Sequence, residues 1–388
     1  MDIFSMDREY VAGTYGRFPV QLVSGKGSTV TDVNGKRYVD MGSGIGVTCF
    51  GFGDAAWTAA VTEQAAKLQH VSNLYYTEPC AKLAKLLCGK TGMKKVFFAN
   101  SGAEANECAI KVARKYSAAK KGNDCYTIVT LKNSFHGRTL TTLAATGQDK
   151  FHELFQPLTP GFAYVTANDV DDLRRVVVEN NTAGIMIECV QGEGGVVPLT
   201  PAFVKEAAKI AAEQDIPLIV DEVQTGNGRT GMLYAYMHFG IQPDIVSTAK
   251  GLGGGLPIGA CLMGEKVQNV LQSGDHGSTY GGNPVCCAGA LTVIERLTDS
   301  FLGSVRRKSG YVFASLHGAK GIESVTGLGL MIGIKTVKSA KEVVNACMER
   351  GVLCLTAKDK VRLLPALNIS MDELSYAIDT IKAVCGEE

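Results

Sequence analysis

Residues 201–223 read PAFVKEAAKIAAEQDIPLIVDEV. Thr200 and Pro201 supply a capping side chain and a first-turn proline, and the stretch to Gln214 has the pattern of a helix. IPLIV then follows as a short, unbroken apolar run that ends in Asp221 and Glu222. A run this short, apolar on both faces, reads as a strand buried within a parallel sheet.

The same alternation extends in both directions, from about residue 90 to residue 263. KKVFFAN (94–100) precedes the helical AEANECAIKVARKYSAAKK (103–121), and DCYTIVTL (124–131) follows it. AGIMIECV (183–190) and DIVSTAK (244–250) complete the set of strands. Apolar strands separated by helices predict an α/β fold with a mostly parallel sheet covered on both faces. The last hundred residues differ. Long helical stretches at 285–318, 339–350 and 371–384 flank short strands in GIESVTG, LMIGIK, GVLCLT and VRLLP, which predicts a smaller α+β domain. Ser370 and Glu373 have capping-box spacing at the final helix. Near the N-terminus, STVTDVNGKRYVDM reads as a hairpin turning at Asn34-Gly35.

Composition narrows the function. The 388 residues carry 39 basic and 38 acidic side chains, a net charge of +1, which gives no electrostatic basis for binding nucleic acid or an anionic membrane. The opening MDIFSMDREYVAG has no signal-peptide core, and no stretch is long and apolar enough to span a bilayer. The 12 cysteines are scattered without a C-x-x-C, so reduced thiols in a cytoplasmic protein are expected and a metal site is not.

Three stretches carry the candidate chemistry. In FFANSGAEANE (97–107), Ser101-Gly102-Ala103 sit where a strand gives way to a helix, a place that suits a phosphate and equally a plain N-cap. Asp221 ends a predicted strand, where a carboxylate needs a partner charge. A cationic ring nitrogen would serve, as would Arg229 or a loop to cap. Lys250 ends the next strand and is followed by GLGGGLPIG. A Walker-type loop places its lysine after the glycines and follows it with Ser or Thr, so Lys250 is not a phosphate counter-charge of that kind. No helix is expected between Lys250 and Pro257, which removes the dinucleotide fingerprint as well. A lysine, an aspartate and a phosphate cup at successive strand ends together suggest pyridoxal phosphate.

At this point the chain resembles the class III pyridoxal-phosphate aminotransferases, and within them the acetylornithine/ornithine group. The resemblance runs nearly the full length. It is carried by RFPVQLVSGKGSTVTDVNGKRYVD (17–40), SGIGV (43–47), SNLYYTEP (72–79), FFANSGAEANE, FHGRT (135–139), QGEGGV (191–196), LIVDEVQTGNGRTG (218–231), AKGLGGGLPIGA (249–260), GSTYGGNPV (277–285) and VRLLPAL (361–367). It implies an aspartate-aminotransferase-like fold in three parts: residues 1–45 joining the small domain, 46–285 as the large cofactor-binding domain, and 286–388 as the small domain. Lys250 becomes the Schiff-base lysine and general base, Asp221 the partner of the ring nitrogen, and Gln224 a neighbour of the phenolic oxygen. Phe135 stacks on the ring, Ser101, Gly102 and Ala103 take the phosphate, and Thr279 reaches the cofactor of the second subunit in a homodimer.

The same resemblance assigns the substrates. Arg138 grips a carboxylate, Arg362 takes the α-carboxylate of glutamate, and Glu193 pairs with Arg362 while the larger donor is bound. On its own pattern Arg362 reads as a surface residue on a short strand. Tyr15 aligns with a tyrosine that contacts the donor's α-carboxylate. Ile45 stands where ornithine-using relatives carry tyrosine, which favours an acetylated donor, whereas Tyr280 reads like the ornithine enzymes. The implied reaction moves the ω-amine of N-acetylornithine to 2-oxoglutarate. Ornithine, 4-aminobutyrate and succinylornithine remain alternative donors. A glutamate-semialdehyde aminomutase or a non-catalytic nucleotide-binding protein are the more distant readings. CFGFGDAAW (49–57) departs from the family's G-H-x-H-P. His136, inside FHGRT, reads as a loop-shaping or ring-side residue.

Overall fold

The computed structural model describes residues 2–387. Near the N-terminus, β1 (Leu22–Lys26), β2 (Thr29–Asp32) and β3 (Arg37–Asp40) form an antiparallel meander. The Asn34-Gly35 turn lies between β2 and β3: Gly35 takes φ +82°, and the Asp32 carboxylate accepts from the amides of Asn34 and Lys36. Those amides, with the Tyr38 hydroxyl, explain why a charged Asp32 tolerates burial.

The middle of the chain supplies β4 (Lys95–Ala99), β5 (Thr127–Leu131), β6 (Phe162–Val165) and β7 (Thr182–Ile187). A small hairpin of β8 (Val190–Gln191) and β9 (Val197–Pro198) follows, then β10 (Leu218–Asp221), β11 (Ile245–Thr248) and β12 (Gly259–Met263). Seven of these strands make one sheet in the order β4-β12-β11-β10-β7-β5-β6. Only β12 runs against its neighbours, so the sheet is mostly parallel as expected. Every residue of β7, β10, β11 and β12 is buried. Alternate residues go to separate cores: Met186, Ile219 and Ile245 pack with the helix Gly102–Lys121, while Ile187, Val220 and Val246 join the core that holds Phe203 and Val204 of the helix Pro201–Glu213. That helix starts as its sequence implies, with the Thr200 hydroxyl accepting from the Phe203 amide.

Toward the C-terminus, β13 (Ile322–Leu328), β14 (Met331–Thr336), β15 (Val352–Leu353), β16 (Leu355–Ala357) and β17 (Lys360–Leu363) appear. Four form an antiparallel sheet ordered β13-β14-β17-β16, and β15 pairs in parallel with β3, tying the two ends of the chain together. The expected helix over 285–318 is two helices, Pro284–Arg296 and Asp299–Leu316. Thr298 separates them, its hydroxyl capping the second by accepting from the Phe301 amide. The Ser370–Glu373 capping box forms at the helix Met371–Gly386.

Candidate active site

Parallel strands present their carboxyl ends on one edge of a sheet, and a ligand crevice belongs there. Three adjacent strands obey that rule here. Ile187 of β7 is in register with Val220 of β10, and Asp221 with Ser247 of β11. Glu188, Asp221 and Lys250 therefore emerge side by side and line one cavity of about 520 Å³. Ser101, Gly102, Ala103, Phe135, Arg138 and Gln224 line the same cavity, so these six expected residues meet Asp221 and Lys250.

Asp221 is 3% exposed and held from three directions. One carboxylate oxygen accepts from the Val223 amide at 2.9 Å. The other meets Asn106 Nδ2 and His136 Nδ1, each at 2.8 Å. Arg229 is not its partner: that guanidinium donates to the carbonyls of Leu330 and Pro365. His136 is buried, which disfavours its cation, but the Asp221 carboxylate outweighs burial and raises its pKa. It sits beside Asp221 and lines the same cavity.

Lys250 follows β11 with φ +47°, a left-handed conformation that a non-glycine residue adopts only when its surroundings enforce it. Contrary to the sequence expectation, a single 3-10 turn forms at Lys250–Leu252, closed by the Gly253 amide donating to the Lys250 carbonyl at 3.0 Å. The divergent CFGFGDAAW segment buttresses this turn. Asp54 caps the helix Ala55–Lys67 and pairs with Arg296 at 2.9 Å, and Trp57 Nε1 donates to the Gly253 carbonyl at 3.0 Å. A side chain at Gly254 or Gly289 would collide with Trp57, so those glycines make room for the indole. Burial lowers the Lys250 amine to about 8; Arg362 adds to the effect, while Glu193, Asp221 and Glu188 oppose it.

Ser101 is the N-cap of the helix Gly102–Lys121, and its hydroxyl accepts from the Glu104 amide at 3.2 Å. The first amides of a helix have no partner within it and carry its positive dipole end. Close packing shapes this corner: a Cβ on Gly102 would strike Val223, and one on Gly259 would strike the Ser101 carbonyl. Both the phosphate cup and the N-cap reading of Ser101 are thus compatible with one geometry.

Arg362 is not a surface residue. It is 3% exposed on β17, between β14 and β16, because the sheet around it covers its stem. Its Nη1 donates to Glu193 Oε1 at 2.6 Å and to Gln224 Oε1 at 3.1 Å. Burial opposes ionisation of Glu193, but Arg362 and then Lys250 outweigh it and hold the carboxylate below its ordinary pKa.

Other expected residues stand apart. Thr279 is exposed and does not line the cavity. Tyr15 is 73% exposed beside Arg17 and does not reach the cavity in this chain; the segment around it has no regular secondary structure and is almost entirely solvated. Ile45, at φ +66°, lines a neighbouring apolar cavity with Gly44 and Phe52. Sequence reasoning missed Asn106 and Glu188. Glu188 carried the same signal as Asp221, a carboxylate closing an apolar strand. Burial raises its pKa to about 7, with His136 opposing and Asp221 reinforcing the shift. Asn106 is an amide on a mostly apolar helix face beside Cys108, Ala109 and Ile110.

Comparison with known proteins gives this geometry its family. A family model described as "Aminotransferase class-III" matches residues 10–385. The chain is 49% identical over 387 residues to an acetylornithine aminotransferase of Haemophilus ducreyi, covering 99% of this chain and 98% of that one. It is 43% identical over 392 residues to an acetylornithine aminotransferase of Caldanaerobacter subterraneus, covering 99% of each. Among solved structures, an ornithine aminotransferase from Toxoplasma gondii superposes with a TM-score of 0.94 at 31% identity, covering 98% of this chain and 94% of that one. An N-acetylornithine aminotransferase from Stenotrophomonas maltophilia gives 0.84 at 33% identity, covering 98% of each. With its lysine and aspartate at neighbouring strand ends, and a match spanning nearly every residue, the chain belongs to the class III aminotransferases.

Proposed function

We propose that this protein transfers the ω-amino group of N-acetylornithine to 2-oxoglutarate with pyridoxal phosphate as cofactor, forming N-acetylglutamate 5-semialdehyde and glutamate. The observation that carries this reading is the placement of Lys250 and Asp221 at adjacent strand ends, in one cavity with a helix N-terminus. An amine, a carboxylate and a set of free amides match the aldehyde, ring nitrogen and phosphate of that cofactor. The fit extends to buried atoms that lack partners among the described residues: His136 Nε2 and Asn106 Oδ1, both on residues that touch Asp221.

When bound, the cofactor supplies an electron-poor ring that stabilises negative charge on the carbon losing a proton. The remaining work falls to the chain. Lys250 Nζ, with its pKa lowered to about 8, would accept the proton from the substrate carbon bearing the transferred amine and hold it for delivery to the cofactor's carbon rather than back to the same one. Asp221 holds negative charge for the ring nitrogen, oriented by Asn106, His136 and the Val223 amide. Ser101, Gly102 and Ala103 would hold the phosphate at the helix terminus and Phe135 would pack on the ring, while Gln224, in the cavity wall, accepts from Arg362. Arg138 binds a substrate carboxylate. Arg362 takes the α-carboxylate of glutamate once Glu193 releases it, so one pocket serves both half-reactions.

The acetylated donor is supported by the names of the relatives; Ile45, which the resemblance sets against a free α-amine, lines a separate cavity in this chain. Tyr280 alone leans toward ornithine. A panel of N-acetylornithine, ornithine, 4-aminobutyrate and succinylornithine, each followed as conversion of the bound cofactor to its amine form, tests the donor. N-acetylornithine should exceed ornithine by about tenfold or more; a clear advantage for ornithine or 4-aminobutyrate would overturn the donor and leave the class intact.

We also read the protein as a cytoplasmic homodimer in which Thr279 serves the partner's cofactor. An exposed Thr279 supports this, as do Leu74, Tyr75, Tyr76 and Tyr280, which are 85%, 70%, 105% and 60% exposed. Twelve free thiols suit a reducing compartment, and no helix among the described residues is long and apolar enough to cross a membrane. We divide the chain as its sequence suggests, with residues 1–45 joining the smaller domain through the pairing of β3 with β15.

A further inference from the structure

Arg138 is assigned above to a substrate carboxylate, yet its guanidinium meets aromatic rings rather than an acid. Its central carbon lies 4.3 Å from the centre of the Phe151 ring and 5.5 Å from that of Phe135. No hydrogen bond or ion pair engages this guanidinium among the described residues. Phe135 faces the cavity, whereas Phe151 does not line it and stands behind Arg138. The two rings meet edge to face at 6.0 Å.

Phe151 is itself well fixed. It sits in the short helix Asp149–His152, and His152 Nε2 lies 2.7 Å from the Thr146 carbonyl and 3.1 Å from that of Leu143. The buried Gln148 side chain donates to the Ser134 carbonyl at 2.8 Å, tying this helix to the strand-end loop that carries Phe135 and His136. The ring also takes a second cation, with Lys150 Nζ at 4.7 Å from its centre.

We propose that Phe151 is a positioning residue for Arg138: its ring holds the guanidinium at the cavity wall and so sets affinity for the carboxylate ends of donor and acceptor. This rests on the reading of Arg138 as the carboxylate-binding arginine. A free arginine samples many rotamers, and ordering it on binding weakens affinity. A guanidinium already resting on an aromatic face avoids that loss, and the planar fork stays open to a bidentate carboxylate.

The test uses the holoenzyme with Phe151→Leu, Phe151→Tyr and Arg138→Lys. It measures KM for 2-oxoglutarate and for N-acetylornithine, kcat, and the dissociation constant for pyridoxal phosphate. Phe151→Leu should raise both KM values by about three- to fivefold, the size of a cation–π contact on an exposed guanidinium. Its kcat and cofactor affinity should stay within about twofold, and Phe151→Tyr should restore KM because the ring face is kept. If Arg138→Lys raises KM but Phe151→Leu does not, the role of Phe151 falls while the Arg138 assignment stands. If neither changes KM, the Arg138 assignment fails and takes this inference with it. If Phe151→Leu loses kcat and cofactor binding together, without restoration by tyrosine, the ring is merely structural and the proposal is overturned. Should the leucine protein not fold, Phe151→Met, which fills the space without a ring face, decides by the same readouts.

Discussion

Arg362 Nη1 and Glu193 Oε1 lie 2.6 Å apart, with the arginine side chain 4% exposed and the glutamate 30%. A pair so placed differs from a surface salt bridge, because removing either partner strands the other. Glu193 is the partially solvated member and therefore the one that can yield.

Glu193→Ala leaves the Arg362 guanidinium without its anion, and the loss of a buried partner costs about 3–5 kcal/mol when nothing replaces it. A substrate α-carboxylate is a replacement. The variant should be less stable when empty, and glutamate should gain as a substrate. The ratio of kcat/KM for glutamate to that for N-acetylornithine should rise by about tenfold or more. Steady-state kinetics of both directions, with thermal midpoints at several glutamate concentrations, read this. An unchanged ratio would remove Glu193 as the switch.

If Lys250 captures the cofactor as proposed, its lowered pKa makes that step pH-dependent. Burial puts the amine at about 8 in the folded protein, below the ordinary lysine value, so the neutral and nucleophilic form dominates above that pH. The rate at which cofactor-free protein takes up pyridoxal phosphate should rise about tenfold per pH unit below 8 and level off above it. Stopped-flow absorbance across pH 6 to 10 measures the inflection. A rate still climbing steeply at pH 10 would place the amine in an ordinary, solvated setting.

Glu222, next to Asp221, is fully buried and accepts from the Thr225 hydroxyl at 2.6 Å and the Tyr236 amide at 2.8 Å. Burial raises its pKa to about 7, with the hydrogen bonds opposing. The folded value lies above the unfolded one of roughly 4.3. The folded state therefore holds the proton more tightly, and the associated stability is present at low pH and lost as pH rises through 7. Glu222→Gln removes that dependence. Relative to the parent, its stability should improve between pH 4.5 and 7 by on the order of 3 kcal/mol. Denaturant titrations at matched pH check the sign, and a difference independent of pH would contradict it.

The fold was legible because its strands are unbroken apolar runs and its helices carry their caps in sequence, as Thr200 and Ser370 show. The site was legible where a charged residue closes an apolar run. Asp221 and Lys250 stood out for that reason, and Glu188 should have, since β7 and β10 end alike. Arg362 was hidden because its burial comes from β14 and β16, which are distant in sequence or reached only through a turn. Asn106 was hidden because its partner Asp221 lies 115 residues away. The break at Thr298 was missed because helical patterning continues across it, and only the cap interrupts the backbone. The role of Trp57 depends on three glycines (253, 254 and 289) that no local pattern links to it.

The proposed transamination requires Lys250 to bond the cofactor. Reduction of the yellow holoenzyme with borohydride, followed by peptide mapping, tests it most directly. Pyridoxal phosphate should be fixed to Lys250 alone, and none should be fixed in Lys250→Ala, whose turnover should fall by many orders of magnitude. Attachment to another lysine, or a Lys250→Ala protein that keeps near-normal transamination, would contradict it.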